Sequence, residues 1–169
     1  MSTTFLVDTD WYASPLGPLR LAAQGDALVA VWFEAQVHSP DHHIVAHPAP
    51  NHPVLQQTRA VLDAYFSGQR VQLTGPSCAF LWGTPFQQRV WQALRDIPLG
   101  ETCSYGDVST RLGWTTQAAR AVGAAIARNP IGILVPCHRV VGHKGQLTGY
   151  AGGLDKKTWL LRHEALMRK

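Results

Sequence analysis

The first third of the chain consists of short apolar runs separated by turn-forming residues. Residues 19–23 alternate in part between polar and apolar positions, and residues 27–33 are apolar throughout. Residues 14–18 and 25–26 carry the Ser, Pro, Gly and Asp that are typical of tight turns. With the aromatic segment at 11–13, this pattern predicts three short strands in an antiparallel meander.

Beyond the meander, the pattern predicts one loop and one helix. Residues 34–53 are rich in His and Pro and are predicted to form a loop. Apolar positions then recur at helical spacing over residues 54–66, and Ser67 and Gly68 end the pattern. We therefore expect an N-terminal α/β domain over residues 1–80, with a linker at 74–83.

Helix-capping signals dominate the second half of the chain. Thr84 followed by proline predicts one helix start, and Ser104 with Asp107 three positions later resembles a capping box at another. Gly113 separates this second, short helix from a third helix predicted over about residues 115–127. Two short helices joined by a turn that contains glycine are typical of a helix-turn-helix.

The third helix has an unusual composition. Residues 118–125 are nearly all small and surround a single arginine, Arg120. Gly123 lowers helix propensity by about 1 kcal/mol relative to alanine, which indicates that a close approach is needed there. Two interpretations stay open: the small residues pack against another helix, or they let the backbone approach a nucleic-acid groove with Arg120 projecting alone.

Charge is divided unevenly between the two halves. Residues 1–83 hold three arginines against six carboxylates, a net −3, whereas residues 84–169 hold twelve Lys and Arg against five carboxylates, a net +7. A basic half in a chain with pI near 9.2 suits a polyanion such as nucleic acid, although a merely basic surface explains it too.

The chain shows no sign of a membrane segment. No apolar run approaches the ~20 residues of a membrane span, and the N-terminus lacks the features of a signal peptide. We therefore expect a cytoplasmic protein that does not contact membranes.

A cysteine followed by a histidine is the candidate chemical site. Cys137 and His138 follow Pro136, which favours an extended or turn-like backbone there. A neighbouring base lowers the pKa of a thiol, and the thiolate is the nucleophile. The alternative is a buried, inert cysteine beside a surface histidine. Glu164 on the last predicted helix is a candidate to orient His138, and the glycine-rich residues 149–153 could wrap a planar ligand.

The remaining cysteines and histidines do not form a metal-ligand pattern. Cys78, Cys103 and Cys137 include no Cys-x-x-Cys pair, so a zinc site with thiolate ligands is not expected. We expect the protein to use neither a metal nor a cofactor. Five histidines fall in the predicted loop, where solvated side chains or adventitious metal binding are both possible: His38, His42, His43, His47 and His52.

Seven sequence runs, in this order, match those of one known family: residues 14–19, 83–91, 104–105, 118–123, 129–140, 149–153 and 159–164. They include Pro-Cys-His-Arg-Val at 136–140 and Gly-Tyr-Ala-Gly-Gly at 149–153. The chain resembles the O6-alkylguanine-DNA alkyltransferases (methylated-DNA–protein-cysteine methyltransferases), and within them the bacterial Ogt-like branch.

The resemblance implies a fold and a function. The expected fold class is α/β (α+β): an N-terminal three-stranded antiparallel sheet with a helix, followed by a mostly helical, winged helix-turn-helix domain over residues 84–169. The expected function is single-turnover DNA repair, in which the protein takes the alkyl group from O6-alkylguanine, and from O4-alkylthymine, in flipped-out DNA. The expected partner is double-stranded DNA, bound by a monomer that could assemble cooperatively.

The resemblance also implies catalytic roles. Cys137 resembles the alkyl acceptor, His138 the residue that deprotonates it through a water, and Glu164 the carboxylate that orients the histidine. Tyr105 resembles the tyrosine that helps to swing out the nucleotide and protonates the leaving guanine. The site therefore combines a nucleophile, a base and an acid.

Further residues resemble the family's pocket and DNA contacts. Arg120 resembles the finger that fills the gap in the base stack, and Asn129 the hinge between helix-turn-helix and active-site loop. Tyr150 resembles a pocket wall, while the Val140 carbonyl and the Ala151 amide resemble groups that read the guanine edge. The expected pocket residues are Asn129, Pro136, Val140, Tyr150 and Ala151. The expected DNA contacts are Tyr105, Ala118, Ala119, Arg120, Ala121 and Gly123.

Three other function classes compete with this interpretation. A non-catalytic binder of alkylated DNA is disfavoured because such relatives replace the acceptor cysteine, which is present here as Cys137. A Cys-His hydrolase would show repeated turnover and need an oxyanion hole. A winged-helix regulator would show a preference for particular DNA sequences.

Overall fold

The computed structural model describes residues 3–69 and 75–168, which divide into two compact units. The N-terminal unit contains the described residues up to Trp82 together with Pro130–Leu134. The C-terminal unit contains Gly83–Asn129 and the described residues from Val135 onward. The chain thus passes back into the N-terminal unit at Pro130–Leu134. A single linker between two consecutive domains therefore does not account for this division. Part of the predicted linker, residue 74, lies outside the described residues, and the domain limits of 1–80 and 84–169 stay a prediction.

The N-terminal unit is built on the predicted meander. Strands β1 (Phe5–Ser14), β2 (Gly17–Gln24) and β3 (Ala27–Phe33) pair in succession, antiparallel. Gly17 and Gly25 have φ angles of +105° and +57°, which glycine adopts without a steric penalty, so the tight turns fall there. The antiparallel meander is confirmed.

The sheet has a fourth strand, so the predicted count of three strands is wrong. Within the segment 34–53 that we predicted as a loop, a short 3-10 helix at Pro40–His43 is followed by β4 (Ile44–Pro48). Strand β4 pairs parallel to β1 at the sheet edge, in the order β3-β2-β1-β4. Four of its five side chains are exposed, so the strand lacks the apolar alternation by which a strand is recognised.

The predicted helix after the sheet is confirmed as α1 (Pro53–Phe66). His52 caps it, because its Nδ1 accepts a hydrogen bond from the Val54 amide at 3.1 Å, and Pro53 occupies the first helical turn. Gly68, just beyond the helix, has φ of +83°. The helix buries Val54, Leu55, Thr58, Leu62 and Tyr65.

The C-terminal unit begins with two capped helices. In α2 (Pro85–Leu94), Thr84 and Gln87 form a complete capping box. In α3 (Tyr105–Arg111), Ser104 and Asp107 form a second one. Each box satisfies two otherwise unpaired backbone amides, so local sequence suffices to place both helix starts.

The helix-turn-helix is confirmed, with a shorter third helix than predicted. After Gly113, whose φ is +81°, a 3-10 turn at Thr116–Ala118 leads into α4 (Ala119–Ile126). Trp91 of α2 donates from its indole nitrogen to the Ala125 carbonyl at 2.7 Å, which ties α4 to the helix before the motif.

A two-residue ladder and a long helix complete the C-terminal unit. Strand β5 (Cys103–Ser104) pairs parallel to β6 (Val140–Val141), which places the start of α3 beside the segment after Cys137. Helix α5 (Leu154–Arg168) then carries the last predicted site residue. No helix in the described part of the chain is both long and apolar enough to cross a membrane.

Candidate active site in the C-terminal unit

Cys137 is presented by a tight turn. Pro136 has φ −83° and ψ 64°, and the Cys137 amide donates to the Val135 carbonyl at 2.8 Å, which together define an inverse γ-turn. The Asn129 side-chain amide donates to the same Val135 carbonyl at 2.9 Å. Asn129 therefore fixes the turn that carries the cysteine, and Cys137 begins one turn of 3-10 helix.

The thiol of Cys137 is buried, with only 7% of the residue exposed. Burial raises the pKa of this thiol, because a low-dielectric surrounding disfavours the thiolate. A hydrogen bond from the Asn129 side chain and the positive charge of Lys157 act in the opposite direction. The nucleophile therefore requires a base or nearby positive charge to ionise.

His138 and Glu164 form a buried pair. The Nε2 of His138 lies 2.6 Å from Oε1 of Glu164, and the two residues are 0% and 1% exposed. The alternative of a cysteine beside a surface histidine is therefore wrong. His138 Nδ1 is also buried and has no hydrogen-bond partner among the described residues. With Nε2–H donating to the carboxylate, Nδ1 is the nitrogen that can accept a proton.

Arg139 completes this network, although nothing in the sequence indicated its role. Its Nε and Nη2 donate to the two carboxylate oxygens of Glu164 at 2.8 and 3.0 Å, and Nη1 donates to the Ile97 carbonyl at 2.6 Å. Burial alone would raise the pKa of Glu164, but His138 and Arg139 lower it far below its ordinary range. Glu164 is thus held as a carboxylate.

Lys157 is a second site residue that sequence reasoning missed. It is 0% exposed, and its Nζ donates to the carbonyls of Val140, Thr148 and Gly149 at 2.6, 2.9 and 3.4 Å. Burial lowers its pKa, whereas the charge of Cys137 raises it. A lysine on a helix is expected to be solvated, so nothing in the local pattern indicated this position.

Lys157 contacts one predicted pocket residue, Val140, and the loop residues just before another, Tyr150. Val140 is buried in β6, and because its carbonyl accepts from Lys157, one of the two lone pairs expected to read guanine is already used. Tyr150 and Ala151 are partly buried. The pKa of Tyr150 is raised well above its ordinary value by burial, and then by the charges of Cys137 and Glu164.

Tyr105 opens α3 and is partly exposed. Thr148 Oγ1 donates to the Tyr105 hydroxyl oxygen at 3.1 Å, which leaves the phenolic hydrogen free to donate elsewhere. Lys157 Nζ lies 6.0 Å from the centre of the Tyr105 ring. Thr148 therefore links Tyr105, the predicted acid, to residues 148–149, whose carbonyls accept hydrogen bonds from Lys157.

Apart from Tyr105 on α3, the predicted DNA contacts lie in α4 or in the 3-10 turn just before it. Arg120 and Ala121 are exposed, while Ala118 and Ala119 are partly buried. A Cβ added at Gly123 would lie 3.5 Å from Cδ1 of Tyr105, an ordinary van der Waals distance. Gly123 thus faces Tyr105, but an alanine would fit there, so packing against Tyr105 does not by itself require a glycine.

No group of three or more metal-ligating side chains occurs within residues 3–69 and 75–168. Two of the loop histidines instead contact one carboxylate: His47 Nδ1 and His52 Nε2 lie 3.0 and 3.6 Å from the two oxygens of Asp8. His43 stacks on Trp82 with ring centres 4.9 Å apart.

A buried cysteine, a buried His–Glu pair and a helix-turn-helix in one unit are typical of a class of protein: DNA-binding proteins that carry a candidate nucleophilic thiol. Comparison with family models is specific. Residues 9–76 match the ribonuclease-like domain, and residues 85–166 the DNA binding domain, of 6-O-methylguanine DNA methyltransferase. The chain belongs to the 6-O-methylguanine DNA methyltransferase family, so the resemblance stated from the sequence is confirmed.

Individual relatives agree with this assignment. A methylated-DNA–protein-cysteine methyltransferase of Mycobacterium leprae is 46% identical over 151 residues, which cover 89% of this chain and 88% of the relative. The crystal structure of Mycobacterium tuberculosis OGT in complex with DNA matches with a TM-score of 0.84 and 42% identity, covering 96% and 94% of the two chains. An O6-methylguanine DNA methyltransferase structure from Methanococcus jannaschii matches with a TM-score of 0.60 and 28% identity, covering 88% and 89%. The predicted α/β fold class is thereby confirmed, with the fourth strand as its correction.

Proposed function

We propose that this protein repairs DNA by transferring the alkyl group of O6-alkylguanine, and of O4-alkylthymine, to the sulfur of its own Cys137. The family assignment supports the methyltransferase reaction. The single observation that carries the residue assignment is Cys137 on a tight turn, next in sequence to a histidine buried against Glu164. No cofactor enters the proposed reaction.

The first step is removal of the thiol proton. A water accepts the proton from Cys137 and passes it to His138 Nδ1, the buried nitrogen without a described protein partner. Glu164 stabilises the resulting imidazolium through Nε2, and Arg139 keeps Glu164 ionised. A positioned acid–base group of this kind contributes roughly 10²–10⁴-fold to rate.

The second step is displacement at the alkyl carbon. The thiolate forms a carbon–sulfur bond as the carbon–O6 bond breaks, and the electron pair of that bond stays with guanine. Tyr105 supplies a proton to the leaving base, because its hydroxyl hydrogen is not used by Thr148. The product thioether has no bond that water cleaves readily, so each protein molecule reacts once.

The reacting base has to leave the duplex. A protein thiolate cannot reach O6 inside the stack, and extrusion of the nucleotide takes a few kcal/mol. Arg120, exposed at the start of α4, fills the gap, while Ala118, Ala119 and Ala121 form the small surface that enters the minor groove. Minor-groove readout is degenerate, which suits repair that has no sequence preference.

The proposed partner is double-stranded DNA that contains alkylated guanine. We propose that the protein binds it as a monomer that assembles cooperatively along DNA, in the cytoplasm at the nucleoid. Sedimentation of the free protein and of its DNA complexes tests the first two points.

Intact mass after incubation with O6-methylguanine DNA tests the reaction. We expect a gain of one methyl group per protein, located on Cys137 by peptide mapping, and no gain in Cys137→Ala, which still binds DNA. Cys103→Ser, a change at the other buried cysteine, serves as the matched control and retains transfer. Repeated turnover at constant protein would indicate a hydrolase and contradict the proposal.

A further inference from the structure

Lys157 is a buried cation in a site whose buried carboxylate is already paired. Glu164 receives two hydrogen bonds from Arg139 and one from His138. Within the described part of the chain, no carboxylate pairs with Lys157; carbonyl oxygens accept its three hydrogen bonds. A buried charge without a counter-charge is unfavourable, so this ammonium favours a negative charge nearby.

The geometry at Nζ matches the charged form of the side chain. Only an ammonium group has three N–H donors, and Val140, Thr148 and Gly149 offer three acceptors. The negative ends of these carbonyl dipoles point at Nζ and stabilise its charge. These hydrogen bonds therefore favour the charged form of the lysine and act against the effect of burial, which lowers its pKa.

The same three hydrogen bonds join two segments of the site. Val140 follows the turn that carries Cys137, whereas Thr148 and Gly149 belong to the loop before Tyr150. Thr148 in turn donates to the hydroxyl of Tyr105. One side chain thus connects the nucleophile's segment, the pocket loop and the proposed acid.

We infer that Lys157 is a positioning residue for the alkyl transfer proposed above: its ammonium holds residues 148–149 against Val140 and supplies the positive charge that stabilises the Cys137 thiolate. The inference rests on the proposed function for its role in repair. The proposed effect of Lys157 on the Cys137 thiolate does not depend on that function, because ionisation of the thiol can be measured without DNA. Other titratable groups of the site are Tyr105, His138, Tyr150 and Glu164, with Arg139 as a fixed cation.

Two substitutions separate the charge from the hydrogen bonds. Lys157→Met keeps an unbranched side chain one atom shorter and removes both, whereas Lys157→Gln removes the charge and keeps up to two N–H donors. Lys156→Met is the matched control, because it removes the neighbouring lysine on the same helix. Unfolding midpoints show that each variant is folded.

The readout is the rate at which iodoacetamide alkylates Cys137, followed by peptide mass as a function of pH. We expect both Lys157 variants to need higher pH for the same rate, with a rate at neutral pH lower by roughly tenfold or more. Lys156→Met should match the unaltered protein. Lys157→Gln should lose less thermal stability than Lys157→Met.

A pH profile of Cys137 alkylation that stays unchanged in folded Lys157→Gln or Lys157→Met would overturn the inference, because a merely structural lysine leaves thiol ionisation unaltered. Single-turnover transfer from O6-methylguanine DNA is measured in parallel. Failure of the unaltered protein to accept a methyl group would contradict the proposed function, while its thiol profile would still report on Lys157.

Discussion

The side chains of His138 and Glu164 meet at 2.6 Å in the interior of the C-terminal unit, although 26 positions separate them in the chain. This contact connects the 3-10 turn that begins at Cys137 to helix α5. It also defines the role of each imidazole nitrogen, because Nε2 is directed at a carboxylate and Nδ1 is left to accept a proton. The nucleophile's turn and the last helix therefore act as one unit in the proposed chemistry.

The depressed pKa of Glu164 predicts an acid-sensitive contribution to stability. Its folded pKa lies below the ordinary value of 4.5, so the contribution is complete above that value and is lost as pH falls through the folded pKa. Glu164→Gln lacks this ionisation and leaves Arg139 unpaired. We expect it to be less stable at about pH 7 by roughly 3 kcal/mol.

Urea unfolding of both proteins at about pH 7 and about pH 3 provides the measurement. The free energy of unfolding should fall more on acidification in the unaltered protein than in Glu164→Gln. Asp107, whose pKa is lowered by hydrogen bonds from Ser104, titrates in both proteins and cancels in the comparison. Equal losses in the two proteins would contradict the assignment of a depressed pKa to Glu164.

Replacement of Arg139 by lysine is predicted to destabilise the fold. An ammonium group cannot reproduce two parallel hydrogen bonds to Glu164 together with the bond to the Ile97 carbonyl. We expect Arg139→Lys to lower the free energy of unfolding by about 2 kcal/mol. Arg162→Lys on the exposed face of α5 is the control and should change it by less than about 0.5 kcal/mol. Similar small effects for both variants would show that the bidentate geometry is unimportant.

Some elements of this fold could be predicted from the sequence, whereas others could not. The helix starts at Thr84 and Ser104 are set by local patterns and were predicted, although the capping box was recognised only at Ser104. Strand β4 was missed because it is held by backbone pairing with β1 while its side chains face solvent. Its neighbour in the sheet lies about forty residues away in the chain, so no local pattern reports the pairing.

Arg139 and Lys157 were missed for a different reason. Both were counted in the +7 charge of residues 84–169, as though they belonged to a surface that faces a polyanion. Both are buried, and their partners are a carboxylate and carbonyls distant in sequence. The charge available to DNA is therefore smaller than composition indicates, because two cations instead organise the site.

Gly123 provides a test of the two interpretations of the small-residue helix. A methyl group there would sit at ordinary contact distance from Tyr105, so Gly123→Ala is expected to raise the free energy of unfolding by up to about 1 kcal/mol. Ala121→Gly, at an exposed position of the same helix, should lower it by a similar amount. Thermal melts give both values. If Gly123→Ala keeps its stability gain but loses DNA affinity, the glycine serves groove approach instead of packing.

Arg120 is predicted to act on the flipped nucleotide and not on the chemistry. Arg120→Ala should react with free O6-alkylguanine at an unchanged rate, because the exposed side chain takes no part in the Cys137 network. With duplex DNA at saturation, transfer should slow by at least about tenfold, since nothing offsets the few kcal/mol of unstacking. Arg128→Ala removes another exposed cation just after α4. This variant should bind DNA more weakly, and the slope of log affinity against log salt concentration should fall in magnitude by about one. Its rate of alkyl transfer at saturating DNA should be unchanged. Equal slowing in both variants would mean that Arg120 contributes charge alone.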